Sequence, residues 1–261
     1  MKKIFITFVA ALAVSVSMDA QIVKNNLMEG YAPLDVLEKN IYTAKDDPIA
    51  QYQWSAGYTS KPVEGAVSPK VAEGLSYEGY NEAGCSILLG SAFNDDVKGR
   101  RMSVYSLTSS SKELRSGVLY LAFLVNFDRI GTKNMSPLAG FCSSYAGGGH
   151  RGTVYVKRDE QVKKNYYFGV RLIEETVESN VTFEMGQTNL VVLKIDYNTS
   201  LASLFVNPDL SAAEPQPLVV ANAGDSSLKH SIRSVMIRDY HGYDGRIGNF
   251  RVTGNWESLA E

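Results

Sequence analysis

The sequence has 261 residues, of which 44% are hydrophobic and 21% are charged. It is too apolar for a disordered chain, and two cysteines are too few for a disulfide-rich scaffold. The 26 basic and 28 acidic residues give a formal charge of −2. That balance excludes a general nucleic-acid-binding protein, because the chain has no excess of positive charge to hold a polyphosphate. The length allows one large domain or two small ones.

The N-terminus has the pattern of an export signal. Lys2 and Lys3 precede an apolar run over residues 4–16, and Ala20 supplies a small residue before a cleavage position. The run is shorter than the roughly 20 apolar residues that a membrane-spanning helix needs. We therefore predict a signal peptide over residues 1–20 and one mature domain over residues 21–261, located in the periplasm, at the cell surface or outside the cell.

The mature sequence is dominated by strand patterns. Short alternating apolar runs are separated by Gly, Asn, Asp and Ser, which is typical of strands joined by turns. The predicted strands cover residues 51–58, 85–89, 102–107, 117–127, 153–157, 166–172, 181–185, 189–197, 201–206, 232–239 and 246–252. No window after the signal sustains an apolar stripe of helical period, so we expect an all-β sandwich or barrel.

Two of these strands differ in the faces they present. Residues 117–127 are apolar on both faces, which predicts a central strand covered on each side. Residues 189–197 are apolar on one face but carry Lys194 and Asp196 on the other, which predicts one face in contact with water. Together with residues 201–206 they form a predicted hairpin.

Five segments in a fixed order resemble a known superfamily. They are GLSYEGYNEAGCSILLG (residues 74–90), SGVLYLAFLVNF (116–127), TNLVVLKIDYNTSLASLFVNPDL (188–210), EPQPLVVAN (214–222) and DGRIGNFRVTGNWESL (244–259). This order is similar to that of exported bacterial proteins of the concanavalin A-like lectin/glucanase superfamily, the laminin-G-like jelly rolls. The resemblance extends over residues 27–259 and implies a single two-sheet jelly-roll β-sandwich whose last strand lies near the first. It implies no particular activity, because the superfamily includes lectins, glycosidases, lyases and adhesion modules.

The cysteines and tryptophans are candidates for the core. In an exported protein Cys85 and Cys142 can form a disulfide, and the alternative is two separate buried thiols. Trp54 and Trp256 have apolar neighbours in the sequence, which favours anchors in the core or at a sheet edge over platforms for a sugar.

Catalytic motifs are incomplete. Glucanases of this fold carry E-x-D-x-E, and the nearest string here has Glu174 and Glu178 at its ends but Thr176 at the centre. A glycosidase needs a matched pair of carboxylates, so a solvated strand end is the alternative for this string. Cys142 and His150 are close in sequence, but catalytic pairs are made in space and sequence proximity does not define one.

Two loops are candidates for ligand binding. In the first, glycines surround His150 and Arg151, so the backbone can approach a ligand while the two side chains donate hydrogen bonds. A flexible hairpin tip is the alternative. The second loop, residues 239–245, combines aromatic rings, an imidazole and carboxylates, and a turn that packs on the fold is its alternative. Its ligand-binding candidates are Asp239, Tyr240, His241 and Tyr243, and its candidates for oxygen ligands of Ca²⁺ are Asp239 and Asp244.

Three functions remain open from the sequence. The first is a non-catalytic module that binds a carbohydrate or another extracellular ligand, for which the slight negative charge favours a neutral ligand. The second is a glycoside hydrolase or lyase whose carboxylates come from separate strands. The third is a structural or adhesion component with a partner in the cell envelope. No cofactor other than Ca²⁺ is implied.

Overall fold

The computed structural model describes residues 22–41, 51–57, 67–81, 84–91, 101–107, 114, 116–144, 147–224, 231–239 and 242–260. The predicted signal peptide lies outside these residues. The strands are β1 (Ile22–Asn25), β2 (Asn40–Ile41), β3 (Trp54–Ala56), β4 (Val71–Ala72), β5 (Ser86–Leu89), β6 (Arg101–Ser106), β7 (Val118–Ile130), β8 (Ser136–Cys142), β9 (His150–Arg158), β10 (Asn165–Leu172), β11 (Glu175–Glu184), β12 (Thr188–Asp196), β13 (Leu201–Val206), β14 (Val219–Asn222), β15 (Ser234–Asp239) and β16 (Tyr243–Thr253). A 3₁₀ turn, Glu257–Leu259, follows β16. Within the described ranges no helix is long and apolar enough to cross a membrane.

The strands form two sheets. Sheet I has the order β14-β13-β12-β7-β16-β5-β4, with β1 paired to β16, and sheet II has the order β11-β10-β9-β8-β15-β6-β3-β2. The pairing is antiparallel except between β2 and β3. The predicted two-sheet jelly-roll β-sandwich is confirmed, as is the placement of the last strand beside the first.

The main core lies between the sheets. Strand β7 directs Leu121, Phe123 and Val125 into it from sheet I, and alternate residues of β9 and β10 enter from sheet II. Trp54 is completely buried, and its indole N–H donates to the carbonyl of Leu27 at 2.9 Å. The expectation that this tryptophan anchors the core is confirmed.

The outer face of sheet I is covered as well. Tyr120 and Leu124 of β7 pack there in a second buried cluster with Trp256, whose indole N–H donates to the carbonyl of Ala212 at 3.0 Å. The prediction of a central strand covered on both faces is therefore confirmed. The prediction that the next strand, β12, has a face in water is wrong around Val192, which is buried, because the chain beyond β16 folds back over this face.

The two cysteines are free thiols, which corrects the disulfide alternative. Cys142 is buried on the outer face of sheet II against Val104 and Met236. Cys85 precedes β5 of sheet I and packs against the core between the sheets, where its thiol contacts the carbonyl of Tyr31 at 3.4 Å. The two side chains lie on opposite sides of sheet II, so no disulfide links them.

Candidate functional site

A depression formed by the described residues lies on the outer face of sheet II. It is an open cleft of about 730 Å³ that follows strand β9 and ends at the turn between β7 and β8. The residues that line it are Thr132, Asn134, Met135, Ser136, Pro137, His150, Arg151, Tyr155, Arg171, Ile173 and Arg238. We call it the basic cleft, because it contains three arginines and none of the described residues that line it is acidic.

The alternation of the strands places these side chains together. Arg151 and Tyr155 lie on β9, Arg171 on β10 and Arg238 on β15, and each lines the cleft. The intervening residues of the same strands point into the core between the sheets. Because β15, β8, β9 and β10 are neighbours in sheet II, residues up to 87 positions apart in the sequence meet on one face.

The glycines at the start of β9 serve packing. Gly149 and Gly152 have positive φ values of 58° and 86°, a backbone conformation that glycine adopts without steric cost. A Cβ at Gly152 would collide with the side chain of Ile195 in sheet I. The β8–β9 pairing is irregular here. His150 and Arg151 are the first two residues of β9, so they belong to the sheet and not to a free loop.

His150 is neutral at physiological pH. Its Nε2 lies 3.0 Å from Nη2 of Arg238, which can only donate, so Nε2 accepts and the ring proton resides on Nδ1. Nδ1 lies 3.4 Å from Oγ1 of Thr153. Burial lowers the pKa of His150 to about 4, assisted by the positive charges of Arg238, Arg171 and Arg151. All three guanidinium groups therefore act on the same point of the cleft.

Two of the arginines are held in place by neutral carbonyl groups. Nη1 of Arg151 donates to the carbonyl of His150 at 2.8 Å, and Nε of Arg171 donates to the carbonyl of Ile173 at 2.9 Å. The Nε of Arg151 is buried and has no acceptor among the described residues. These contacts fix the guanidinium groups without neutralising their charge, so the cleft is suited to a carboxylate or sulfate group.

The second candidate loop contributes less to this site. Tyr243 begins β16 and is completely buried; its hydroxyl group lies within hydrogen-bond distance of the carbonyls of Pro137 and Arg238, which share its single proton. It therefore supports the cleft from inside the fold, which corrects its assignment as a ligand-binding side chain. Tyr240 and His241 lie outside the described residues, and for Asp239 only the backbone, at the end of β15, is described.

The candidate Ca²⁺ site has no assembled ligand set in the described part of the chain. Asp244 is engaged by Arg129, whose Nε lies 2.6 Å from the carboxylate. No group of three or more His, Cys, Asp or Glu side chains is placed to hold a metal ion among the residues that the structure describes. Asp244 therefore fits an ion pair at the strand end better than a metal site.

The acidic string is separate from the basic cleft. Glu174 is exposed in the turn between β10 and β11, and Glu178 lies on β11 in an ion pair with Lys157. Neither residue lines the cleft, so the structure does not bring these carboxylates together in the groove that a glycosidase pair would require.

Sequence reasoning found His150 and Arg151 but missed Tyr155, Arg171 and Arg238. Each missed residue lies inside a predicted strand, where it alternates with described residues that point into the core. Polar residues at alternate positions are the usual pattern of a face in water, so a single strand gives no sign that its arginine has partners. Only the strand order brings the three arginines together.

Comparison with known proteins gives matches among solved structures alone. No protein-family model and no curated protein matches the sequence. Among solved structures, the chain is similar to an endo-acting O-glycanase of the human gut microbiota, with 9% identity and a TM-score of 0.49 over 89% of this chain and 98% of the other. It is also similar to the globular domain of calreticulin from T. cruzi, with 13% identity and a TM-score of 0.46 over 79% of this chain and 86% of the other. A third similar structure is an alginate lyase from Pseudomonas aeruginosa, with 8% identity and a TM-score of 0.45 over 68% of this chain and 86% of the other.

Proposed function

We propose that this protein binds an acidic carbohydrate in the basic cleft, without catalysis and outside the cytoplasm. The observation that carries the proposal is the convergence of Arg151, Arg171 and Arg238 on a cleft whose described lining contains no carboxylate. A sulfate or uronate group placed there accepts charge-assisted hydrogen bonds from fixed donors.

A sugar fits the remainder of the cleft better than a small inorganic anion. The lining continues past the arginines to Tyr155 and to the polar groups of Thr132, Asn134 and Ser136. An aromatic ring beside hydroxyl and amide groups can contact the apolar face of a sugar and bond to its hydroxyls. The resemblance of the sequence to a superfamily that includes lectins supports the same choice of ligand.

Binding is favoured over catalysis by the state of His150. An enzyme that eliminates from uronates needs arginines to neutralise the substrate carboxylate and a base to remove the adjacent proton. The Nε2 lone pair of His150 accepts from Arg238 and its pKa is lowered to about 4, so this imidazole is a weak and occupied base. A direct assay for elimination tests whether another side chain supplies the base.

The test is a binding assay that compares acidic with neutral polysaccharides. Polygalacturonate, alginate and heparin are compared with dextran by affinity electrophoresis and calorimetry, at low and high salt. We expect binding to at least one acidic polymer, weakened by salt, and none to dextran. Equal binding to dextran, or no binding to any acidic polymer, would refute the proposal. Accumulation of an unsaturated, ultraviolet-absorbing product would refute the non-catalytic part of it.

A matched pair of variants locates the site. Arg171→Gln removes one charge from the cleft but keeps a donor toward Ile173, and we expect it to reduce affinity by about tenfold to a hundredfold, the effect of one hydrogen bond to a charged group. Arg246→Gln is the control, because Arg246 is a partly buried arginine of sheet I that does not line the cleft. Equal losses in both variants would show that overall charge, and not the cleft, binds the ligand.

Export is a separate part of the proposal and rests on the N-terminal residues alone. Expression of the full sequence in a bacterium with intact secretion, followed by mass analysis of the mature N-terminus, tests it. We expect cleavage close to Ala20. An uncleaved cytoplasmic product would contradict this part and leave the binding proposal untouched.

A further inference from the structure

A second cleft with basic side chains lies next to the first, at the end of the sandwich. Its volume is about 480 Å³, and its cationic residues are Arg129, Arg158, Lys163 and Lys164. Two acidic residues, Asp128 and Glu184, also line it. We call it the end cleft.

The two clefts share a boundary. The turn between β7 and β8 contributes Thr132 to the basic cleft, and the backbone N–H of Arg158 donates to the carbonyl of Thr132 at 2.8 Å. Strand β9 contributes to both clefts, since Arg151 near its start lines the basic cleft and Arg158 at its last position lines the end cleft. By strand alternation Arg158 is on the same side of β9 as the core residues Val154 and Val156. A ligand that uses both clefts therefore crosses the β7–β8 turn, where Thr132 contacts Arg158.

The end cleft also has cationic groups that can receive a ligand. Arg129 is held by Asp244, but Lys163 and Lys164 are exposed on the turn between β9 and β10. The Nε of Arg158 is buried and has no acceptor among the described residues. The Nε of Arg151 in the basic cleft is in the same condition, so a buried guanidinium Nε without an acceptor among the described residues occurs in both clefts.

The separation of these groups determines what kind of ligand can use both. Seven strand steps of about 3.3 Å place Arg151 and Arg158 about 23 Å apart along β9. The Debye length at physiological ionic strength is about 8 Å, so a small anion in one cleft does not interact appreciably with the other. Only a chain that carries negative charge repeatedly along its length can engage both.

We infer that the ligand is a linear polyanionic glycan several sugars long, which runs from the basic cleft past the β7–β8 turn into the end cleft. This inference rests on the proposed function and specifies its substrate class. It assigns Arg158, Lys163 and Lys164 as residues that determine the length of chain recognised, while Arg151, Arg171 and Arg238 bind a single acidic sugar.

The experiment compares short and long ligands on the full-length protein. Disaccharides and decasaccharides of galacturonate and of heparin are titrated in parallel, which also separates a carboxylate from a sulfate ligand. We expect the decasaccharide of one series to bind more tightly than its disaccharide, per ligand molecule and after correction for the number of equivalent positions. Equal corrected affinities would overturn the inference and leave the binding function standing.

Variants show whether the end cleft causes the difference. We expect Lys163→Ala/Lys164→Ala to lower affinity for the decasaccharide by about threefold to thirtyfold, the effect of two exposed ion pairs, and to change disaccharide affinity less than about twofold. Lys39→Ala/Lys70→Ala removes the same charge from two exposed lysines outside both clefts and is the control. An effect of the control equal to that of the end-cleft pair would overturn the inference. If neither the disaccharides nor the decasaccharides bind, both the inference and the proposed function are overturned. If Arg171→Gln loses disaccharide binding and the lysine variants keep it, the proposed function is supported.

Discussion

Acidification should destabilise this protein through His150. Its pKa is lowered from 6.5 to about 4 in the folded state, so the unfolded chain takes up the proton first as the pH falls. Protons then favour the unfolded state, and stability is lost between the unfolded and folded pKa values, about pH 6.5 and pH 4. Above that window the imidazole is neutral in both states and contributes no pH dependence.

The magnitude follows from the size of the pKa change. About 1.4 kcal/mol per pKa unit sets an upper limit of about 3 kcal/mol. The imidazole is partly exposed to solvent, and screening reduces the expected contribution to about 1–2 kcal/mol. The wild type should therefore lose that much more free energy of unfolding than His150→Gln between neutral pH and pH about 4. Glutamine suits the comparison because its carbonyl oxygen can still accept from Arg238.

Urea unfolding across this pH range, for wild type and His150→Gln, measures the difference directly. His230→Gln controls for the removal of one titratable imidazole. Proton NMR of the three histidines gives the pKa of His150 independently, and an acidic oligosaccharide should raise that pKa because its charge offsets the arginines. A pKa near the ordinary 6.5, or the same pH dependence in both proteins, would refute the account of the cleft as a buried and positively charged site.

Three further outcomes test the fold that supports the cleft. Arg251→Met should lower the free energy of unfolding, measured in urea, by about 2–4 kcal/mol. The buried guanidinium of Arg251 donates to three oxygens, and its removal leaves them without a donor. Arg246→Met removes a less buried arginine of the same strand and should change the free energy of unfolding by less than about 1 kcal/mol. Tyr243→Phe should cost about 1–2 kcal/mol and weaken binding, while far-ultraviolet circular dichroism stays unchanged. Alkylation of the native, unreduced protein followed by mass spectrometry should modify Cys85 but not Cys142, whose pKa burial raises to about 11, and denaturation without reductant should make both reactive. Equal stabilities of the two arginine variants, a silent Tyr243→Phe, or a thiol that needs reductant would contradict the respective argument.

The architecture could be predicted from the sequence because strand patterns are local. The sequence of residues 117–127 is apolar at successive positions, and this alone predicts burial on both faces. The predicted hairpin over residues 189–197 and 201–206 has nearly the observed bounds of β12 and β13. Strand β8 was missed, since Pro137, Ala139 and Gly140 do not form the alternating apolar run that identifies a strand. The error on the outer face of β12 has a different cause, because the segment that covers it comes from the end of the chain.

The site was less predictable because its members come from separate strands. His150 and Arg151 attracted attention as neighbours of glycines, whereas Arg171 and Arg238 look like ordinary outward residues in their own strands. Tyr243 was misjudged for the same reason, because an aromatic residue beside glycines is as consistent with an exposed loop as with a strand that begins there. Whether its hydroxyl faces a ligand or a carbonyl is decided by the position of β8, more than a hundred residues earlier.

The net charge of −2 favours a neutral ligand, whereas the ligand proposed for the basic cleft is anionic. Net charge is a sum over the whole surface, but a bound sugar experiences the charges within roughly one Debye length, about 8 Å at physiological ionic strength. Within the basic cleft the described charges are all positive, while acidic residues such as Glu174 and Asp196 lie elsewhere on the chain. A protein with a slightly negative total can therefore bind an anion, provided that the fold segregates its charges. Such segregation also reduces nonspecific binding to other polyanions, because only a ligand that fits the cleft approaches the arginines closely enough to gain from them.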